Sequence, residues 1–567
     1  MPSAGDRGSA KQRARVDRMA TANVSGARAS KEIGLTCKSE FREYHEYSGR
    51  EKTWVVVSVQ APQCQEDEDG KVSEKDRAPL ELVAVIDRSA TMKSDYHDHD
   101  YGYSKLAMVQ ETMLFVIQQL NEHDKLGIVL YDEEVTSTGS LWRMDASGKA
   151  QATDIIQDLE ADVGSNLCGG LMEGLAMIED LQKENSSGDA NAKKEKKSVS
   201  SILLMTDGEA DEGFTSERDI IDCLTQRDRH DFYPDGNFRA RHNIPARAQE
   251  PTVPPPPSPP QPSPQEVSAP ATRPVVSSTI ANSTELSDVV AASIYTFGFG
   301  ADHNAELLQA VSKAGNGMYY YIDSSEKMPE SFADCLGGLL STAAQNISLE
   351  ITAENGCNIV EAYAGRSTKS THSGVAITLP LGDIQSEECR DCVFCLDLPN
   401  VPEECDEWVI LKAKLTCFNV ITSLLEVTEA LLKVRRVKQL PADRSPNPDV
   451  DQHRNRITSA QVIEHASTLA DKGDLNGAKR VLARQQAVIR RSASSNCPIS
   501  KEMEKDMHRV TAELASPSQW KRAGKDLSSN ISQKHLAQRS NDIRESSYTN
   551  RMKVQKKKAS SSIHDDV

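Results

Sequence analysis

From Leu80 to Ile322, continuous apolar runs alternate with stretches whose apolar residues recur every three or four positions. The runs are "PLELVAVID", "KLGIVLYD", "SVSSILLMTDG", "ASIYTFGFG" and "MYYYID". Between them lie "KLAMVQETMLFVIQQL", "ATDIIQDLEAD", "GGLMEGLAMIEDL", a segment near Ile220 to Leu224, and "NAELLQAVSKAG". A strand that is apolar at successive positions has both faces covered, and parallel neighbours are joined by helical crossovers. The alternation predicts an α/β domain over residues 80–342, built on a doubly wound, mostly parallel sheet. In such a sheet ligands sit beyond the carboxyl ends of the strands.

Loops expected at that edge carry oxygen donors. "DRSAT" offers Asp87, Ser89 and Thr91; "GSNLCGGL" offers Ser165; "TDG" offers Asp207. An all-oxygen set suits a hard cation, Mg²⁺ or Mn²⁺. The acids hold the ion, while neutral hydroxyls leave it electron-poor. An open position can then take a carboxylate, so the expected partner is a protein with an exposed Asp or Glu.

These motifs resemble the metal-ion-dependent adhesion site (MIDAS) of von Willebrand factor A (VWA) domains. That pattern is D-x-S-x-S, then a Thr, then an Asp. Thr91 stands where the family has its second Ser, and Ser165 where it has Thr; both keep a hydroxyl. "SIYTFGFGADHNAELL", "GMYYYID" and "RNRITSAQVIEHASTLADKGDLNGAKRVL" are similar to a subgroup with a β-sandwich and a C-terminal αα-hairpin. That subgroup includes plant RING-type ubiquitin ligases of the wavy-growth kind. The resemblance implies a Rossmann-like domain that binds proteins through Mg²⁺ and is not an enzyme. The alternative it implies is a substrate-binding component of a ubiquitin ligase assembly. A RING takes eight Cys or His ligands in paired spacing, and the region before residue 80 offers only Cys37 and Cys64. Ligase activity of the chain's own is therefore not expected.

Outside the central domain the pattern changes. Residues 1–35 read as a disordered tail. "TWVVVSVQAP", within 36–79, reads as a strand that joins a later sheet. Alternating segments such as "ISLEITAE" and "EWVILKAKLTCF" predict an antiparallel β-sandwich over 343–440. Residues 451–515 read as a helical hairpin turning at "KGDLNG", and the polar stretch 516–567 as a disordered tail. A Pro-rich insertion, 229–287, interrupts the α/β domain and favours polyproline II conformation over a packed core.

Composition narrows the function. Lys plus Arg is 66 and Asp plus Glu is 84, a balance of −18, which argues against nucleic-acid binding. No apolar run reaches the length of a membrane span. The first thirty residues lack the apolar core of a secretory signal, so a cytoplasmic protein with reduced thiols is expected. "CRDCVFC" has metal-like spacing, but a strand would turn Cys392 and Cys395 to opposite faces, so these thiols are expected as small buried hydrophobes. "HDHD" (97–100) reads as a solvated loop, and "DGEADEG" lacks the spacing and terminal Glu of an EF-hand calcium loop. In "FGFGADHN", Asp302 or Asn304 is expected to cap the next helix. No Ser/His/Asp or Cys/His spacing suggests nucleophilic catalysis.

Overall fold

The strand Leu80–Asp87 is buried at every position and lies inside a seven-stranded sheet. The strands run in the order Asn316–Ile322, Ser293–Phe299, Val199–Thr206, Leu80–Asp87, Lys125–Tyr131, Val135–Ser137. The first five are mutually parallel. Val135–Ser137 and Trp142–Arg143 pair antiparallel with Lys125–Tyr131. The computed structural model describes residues 31–47, 51–63, 77–93, 104–187, 198–225, 292–300, 303–322, 328–363, 374–540 and 546–564. The expectations for the first thirty residues, the insertion 229–287, "HDHD" and Asp302 lie outside the described residues.

Alternate side chains of the central strand explain why the sheet is covered on both faces. Leu82, Ala84 and Ile86 pack with Met108, Val109, Ile156 and Phe332, from the helices Lys105–Gln119, Ala146–Gln157 and Met328–Leu340. Val83 and Val85 pack with Leu171, Leu175, Ile220 and Leu308, from the helices Leu167–Ser187, Glu217–Thr225 and Ala305–Ala314. Helix starts follow their capping residues: the Ser104 hydroxyl accepts from the Ala107 amide, and the Asn304 side chain accepts from Leu307.

The early strand Glu51–Gln60 pairs with Cys389–Leu398, so the chain leaves the sandwich for the α/β domain and then returns to it. One sheet has the order Gly34–Ser39, Glu51–Gln60, Cys389–Leu398, Asn358–Tyr363. The other runs Ala376–Gln385, Thr342–Ala353, Cys405–Asn419, Leu424–Val437, Glu43–His45. Cys392 shares the sandwich core with Phe394 and Leu396. Cys395 lies at alternate positions with Val393, whose face packs on the helix Pro448–Asp471. Burial raises the Cys392 thiol to about 12 and the Cys395 thiol to about 11. Both thiols are therefore neutral at ordinary pH.

The helices Pro448–Asp471 and Leu475–Arg491 turn back on each other at Gly473, whose φ of 87° favours glycine. Asp474 then caps the second helix through the Gly477 amide. The stretch 516–567, expected as a disordered tail, instead carries the helices Lys525–Ala537 and Arg551–His564. The sparse apolar residues of this stretch, Trp520, Ile531, Leu536 and Met552, are buried. Much of the remaining contact is ionic. Lys534 pairs with Glu502 and Asp506, and Lys553 with Asp334. A reading based on hydrophobic periodicity does not register helices held in this way. Among the described residues no helix is long and apolar enough to cross a membrane.

One of these ionic contacts predicts an acid response. Arg539 donates to both oxygens of Glu388, at 3.0 and 3.1 Å. Burial alone would raise Glu388, but Arg390 and Arg539 outweigh it and hold the carboxyl at about 2, against a usual 4.5. A lowered folded value means the stabilisation is complete above the unfolded value, and is lost as pH falls from about 4.5 towards 2. At 1.36 kcal/mol per pH unit this is about 3 kcal/mol. Arg539→Ala is expected to move the acid-unfolding midpoint to higher pH in a circular dichroism titration. An unchanged midpoint would show that Arg390 alone holds the carboxylate.

Candidate metal centre

Strand register brings the acids to one edge. Asp87 ends its strand beside Tyr131, and Ile86 pairs with Met205, so Thr206 and Asp207 emerge next to Asp87. Asp87 is fully buried. Its Oδ1 accepts the Ser89 amide at 2.8 Å, and its Oδ2 accepts the Thr206 hydroxyl at 2.5 Å. Thr206 Oγ1 also receives the Gly208 amide at 2.8 Å. Gly208 has φ of 77°, and that left-handed turn swings the third loop back over the strand end.

The first loop winds into a 3₁₀ turn, Ala90–Lys93, pinned by buried Met92. It sets the hydroxyls of Ser89 and Thr91 2.9 Å apart. Ser89 is buried while Thr91 is exposed, so Thr91 stands at the mouth. Ser165 is buried; its hydroxyl donates to the Glu209 carbonyl at 2.5 Å, and its amide donates to Asp211. Glu209 N in turn reaches Asp207 Oδ1 at 3.4 Å. The second loop is tied to the first as well, because Asp162 N donates to Arg88 O at 2.7 Å. The loops bearing Asp87, Ser89, Thr91, Ser165 and Asp207 are thus stitched together by hydrogen bonds. Ser89 touches both Asp87 and Thr91, while Ser165 is linked to Asp207 through Glu209.

Sequence reasoning missed several residues here. Thr206 orients Asp87, and its only signal is its place before "DG". Tyr131 lies against Gly170, where a Cβ would come within 2.6 Å of the ring. Its hydroxyl is buried beside Thr206 and Asp87, and burial, then the Asp87 charge, pushes its pKa well up. Lys105 places its Nζ 3.1 Å from Asp207 Oδ2.

Charge is crowded at this edge of the sheet. Burial, and then the neighbouring Asp207 charge, raises the Asp87 carboxyl to about 7. Two buried carboxylates at adjacent strand ends repel each other, and the repulsion is relieved by a proton on one of them or by positive charge between or beside them. The Lys105 ammonium already supplies such charge to Asp207. Hydroxyl oxygens complete a set that fits a hard divalent ion. Among the described residues no cluster of three or more His, Cys, Asp or Glu is placed to bind metal. The cup holds fewer acids than that and would depend on its hydroxyls.

Residues 82–209 match the von Willebrand factor type A domain family, and residues 275–321 match a second profile of the same domain. E3 ubiquitin-protein ligase WAV3 of Arabidopsis thaliana is 23% identical over 424 residues, covering 74% of this chain and 44% of its own length. This chain thus spans less than half of that relative. Inter-alpha-trypsin inhibitor heavy chain H1 of Homo sapiens is 27% identical over 164 residues, covering 29% of this chain and 16% of its own length. The solved structure of a von Willebrand factor type A protein from Catenulispora acidiphila superposes with a TM-score of 0.52 at 15% identity. That match covers 85% of this chain and 91% of the other, and shows a shared fold.

Proposed function

We propose, on the premise that this chain carries a von Willebrand factor type A domain, that it binds a protein partner through a cation held in the Asp87–Asp207 cup. The observation that carries the reading is a pair of buried carboxylates beneath hydroxyls that lead to an exposed mouth at Thr91. Asp87, Asp207, Ser89, Thr91 and Ser165 would hold Mg²⁺ or Mn²⁺, and the ion would supply an electron-poor centre for a partner's Asp or Glu. The protein's own part is positional. Asp87 is fixed by Thr206 and the Ser89 amide, so its carboxylate cannot turn away. Thr91 is the only exposed donor of the five and the first that an incoming side chain meets.

That placement separates two substitutions. Thr91→Ser keeps the oxygen and is expected to leave capture within about twofold. Thr91→Val keeps the shape and removes the oxygen, and is expected to weaken capture about tenfold, equivalent to about 1.4 kcal/mol. The assay is a display of Glu-bearing peptides, selected on the full chain in Mg²⁺ and counter-selected in EDTA. Peptides should be lost in EDTA and on Glu-to-Gln exchange. Capture that survives EDTA and Thr91→Val alike would move the binding surface away from the cup.

A second reading has support in the 424-residue match to the plant ligase. The chain would then serve as the substrate-binding component of a ubiquitin ligase assembly that draws its RING from another subunit. Ubiquitin chain formation with E1 and E2, strengthened only when a separate RING protein is added, is its expected signature.

A further inference from the structure

Lys105 is the first residue of the helix Lys105–Gln119, where the positive end of the helix dipole disfavours a cation. It is nonetheless buried, with its side chain 4% exposed against 2% for Asp207. Burying an ammonium is costly unless a nearby charge offsets it. Here the offset comes from Asp207, one of the acids of the candidate cup. Neighbouring Leu106, Met108 and Val109 are anchored in the core, so the Lys105 backbone is fixed. The four-carbon stem beyond it remains flexible enough to swing the head away.

We infer that Lys105 is a built-in counter-cation of the cup, which a divalent ion must displace from Asp207 in order to bind. This rests on the metal reading above and adds a regulatory element to it. An ammonium and a divalent ion on one carboxylate repel each other, so each weakens the other's hold on Asp207. In the ammonium-held form Asp207 is neutralised and the cup needs no metal to stay folded. In the metal-held form the Lys105 head leaves the cup, and the ion can meet a partner. Lys105 therefore sets the threshold of divalent cation at which the site becomes competent. A Thr or Ser in its place would give constitutive loading at lower concentrations.

The test uses the full chain, freed of metal with a chelator, and titrates MgCl₂ calorimetrically against wild type, Lys105→Met and Lys105→Arg. Lys105→Met, of similar length without the charge, is expected to bind Mg²⁺ at least about tenfold more tightly, equivalent to about 1.4 kcal/mol. Lys105→Arg should remain near wild type. Mg²⁺ should raise the Tm of both proteins and EDTA should reverse it, with the larger difference in Lys105→Met, whose metal-free form has lost its counter-charge. A second measurement needs no variant. Acetylation of the wild-type chain, read by mass spectrometry, should find Lys105 protected without metal and labelled several-fold faster in Mg²⁺. Equal or weaker Mg²⁺ binding by folded Lys105→Met, or Lys105 labelling unchanged by bound Mg²⁺, would overturn the exchange and leave the metal reading standing. No Mg²⁺ binding by wild type or by either variant would remove the metal reading, and the exchange with it.

Discussion

Asp334→Ala is expected to cost the folded protein about 3–5 kcal/mol, because it strands buried ammonium groups. Asp334 lies on the helix Met328–Leu340, which closes the α/β domain, and is 1% exposed. Its Oδ2 receives Tyr320 Oη and Lys553 Nζ, each at 2.9 Å, and Lys557 Nζ stands 2.8 Å from its Oδ1. Both lysines belong to the helix Arg551–His564. That helix comes close because Gly337 lacks a side chain; a Cβ there would lie 2.7 Å from Lys553 Cα. Burial alone would raise Asp334, but Lys553 and then Lys557 outweigh it and hold the carboxyl below its usual value. The contribution is therefore present above the unfolded value near 3.8 and fades as pH falls through the folded one. Urea unfolding gives the loss, and hydrogen exchange should show residues 551–564 released first. The double change Asp334→Leu with Lys553→Leu should recover part of it, since Lys557 is 15% exposed and can reach water. A loss below about 1 kcal/mol in the single variant would mean that apolar packing, such as that of Met552, holds the helix instead.

Asp207→Ala should abolish Mg²⁺ binding and also destabilise the protein, by about 3–5 kcal/mol, since it leaves the buried Lys105 ammonium without that carboxylate. Asp87→Asn separates the two effects. It keeps the side-chain shape and an oxygen to accept the Ser89 amide, turns an NH2 that can only donate towards Thr206, and removes the charge. Metal affinity should fall more than about 100-fold, equivalent to about 2.7 kcal/mol. Metal-free Tm should rise, because burial and the Asp207 charge make an ionised Asp87 costly. Calorimetric titration and thermal unfolding check both. Wild-type Mg²⁺ affinity in Asp87→Asn would place the ion elsewhere.

Why some of this was legible in the sequence, and some not, follows from how each part is held. Leu80–Asp87 and Val199–Thr206 are buried throughout, so their apolar runs and terminal acids stand out without tertiary knowledge. The paired loops inherit their position from the strand ends, which is why Asp87 and Asp207 could be read as neighbours. Lys105 could not. A lysine opening an amphipathic helix reads as exposed, and its burial comes from a loop about a hundred positions away. Thr206 looks like any strand threonine until its hydroxyl is seen on Asp87. The C-terminal helices escaped for a related reason. Lys534 and Lys553 are polar in sequence but buried in structure, and only their partners Glu502, Asp506 and Asp334 explain it.

In the function proposed above, the Asp87–Asp207 cup takes a divalent cation. The most direct measurement is anomalous diffraction from crystals of the full chain grown with Mn²⁺. One strong anomalous peak is expected within bonding distance of Asp87 and Asp207, bounded by Ser89, Thr91 and Ser165, with the Lys105 head turned out of the cup. A well-ordered cup in millimolar Mn²⁺, with no anomalous density and with the Lys105 ammonium still on Asp207, would contradict it.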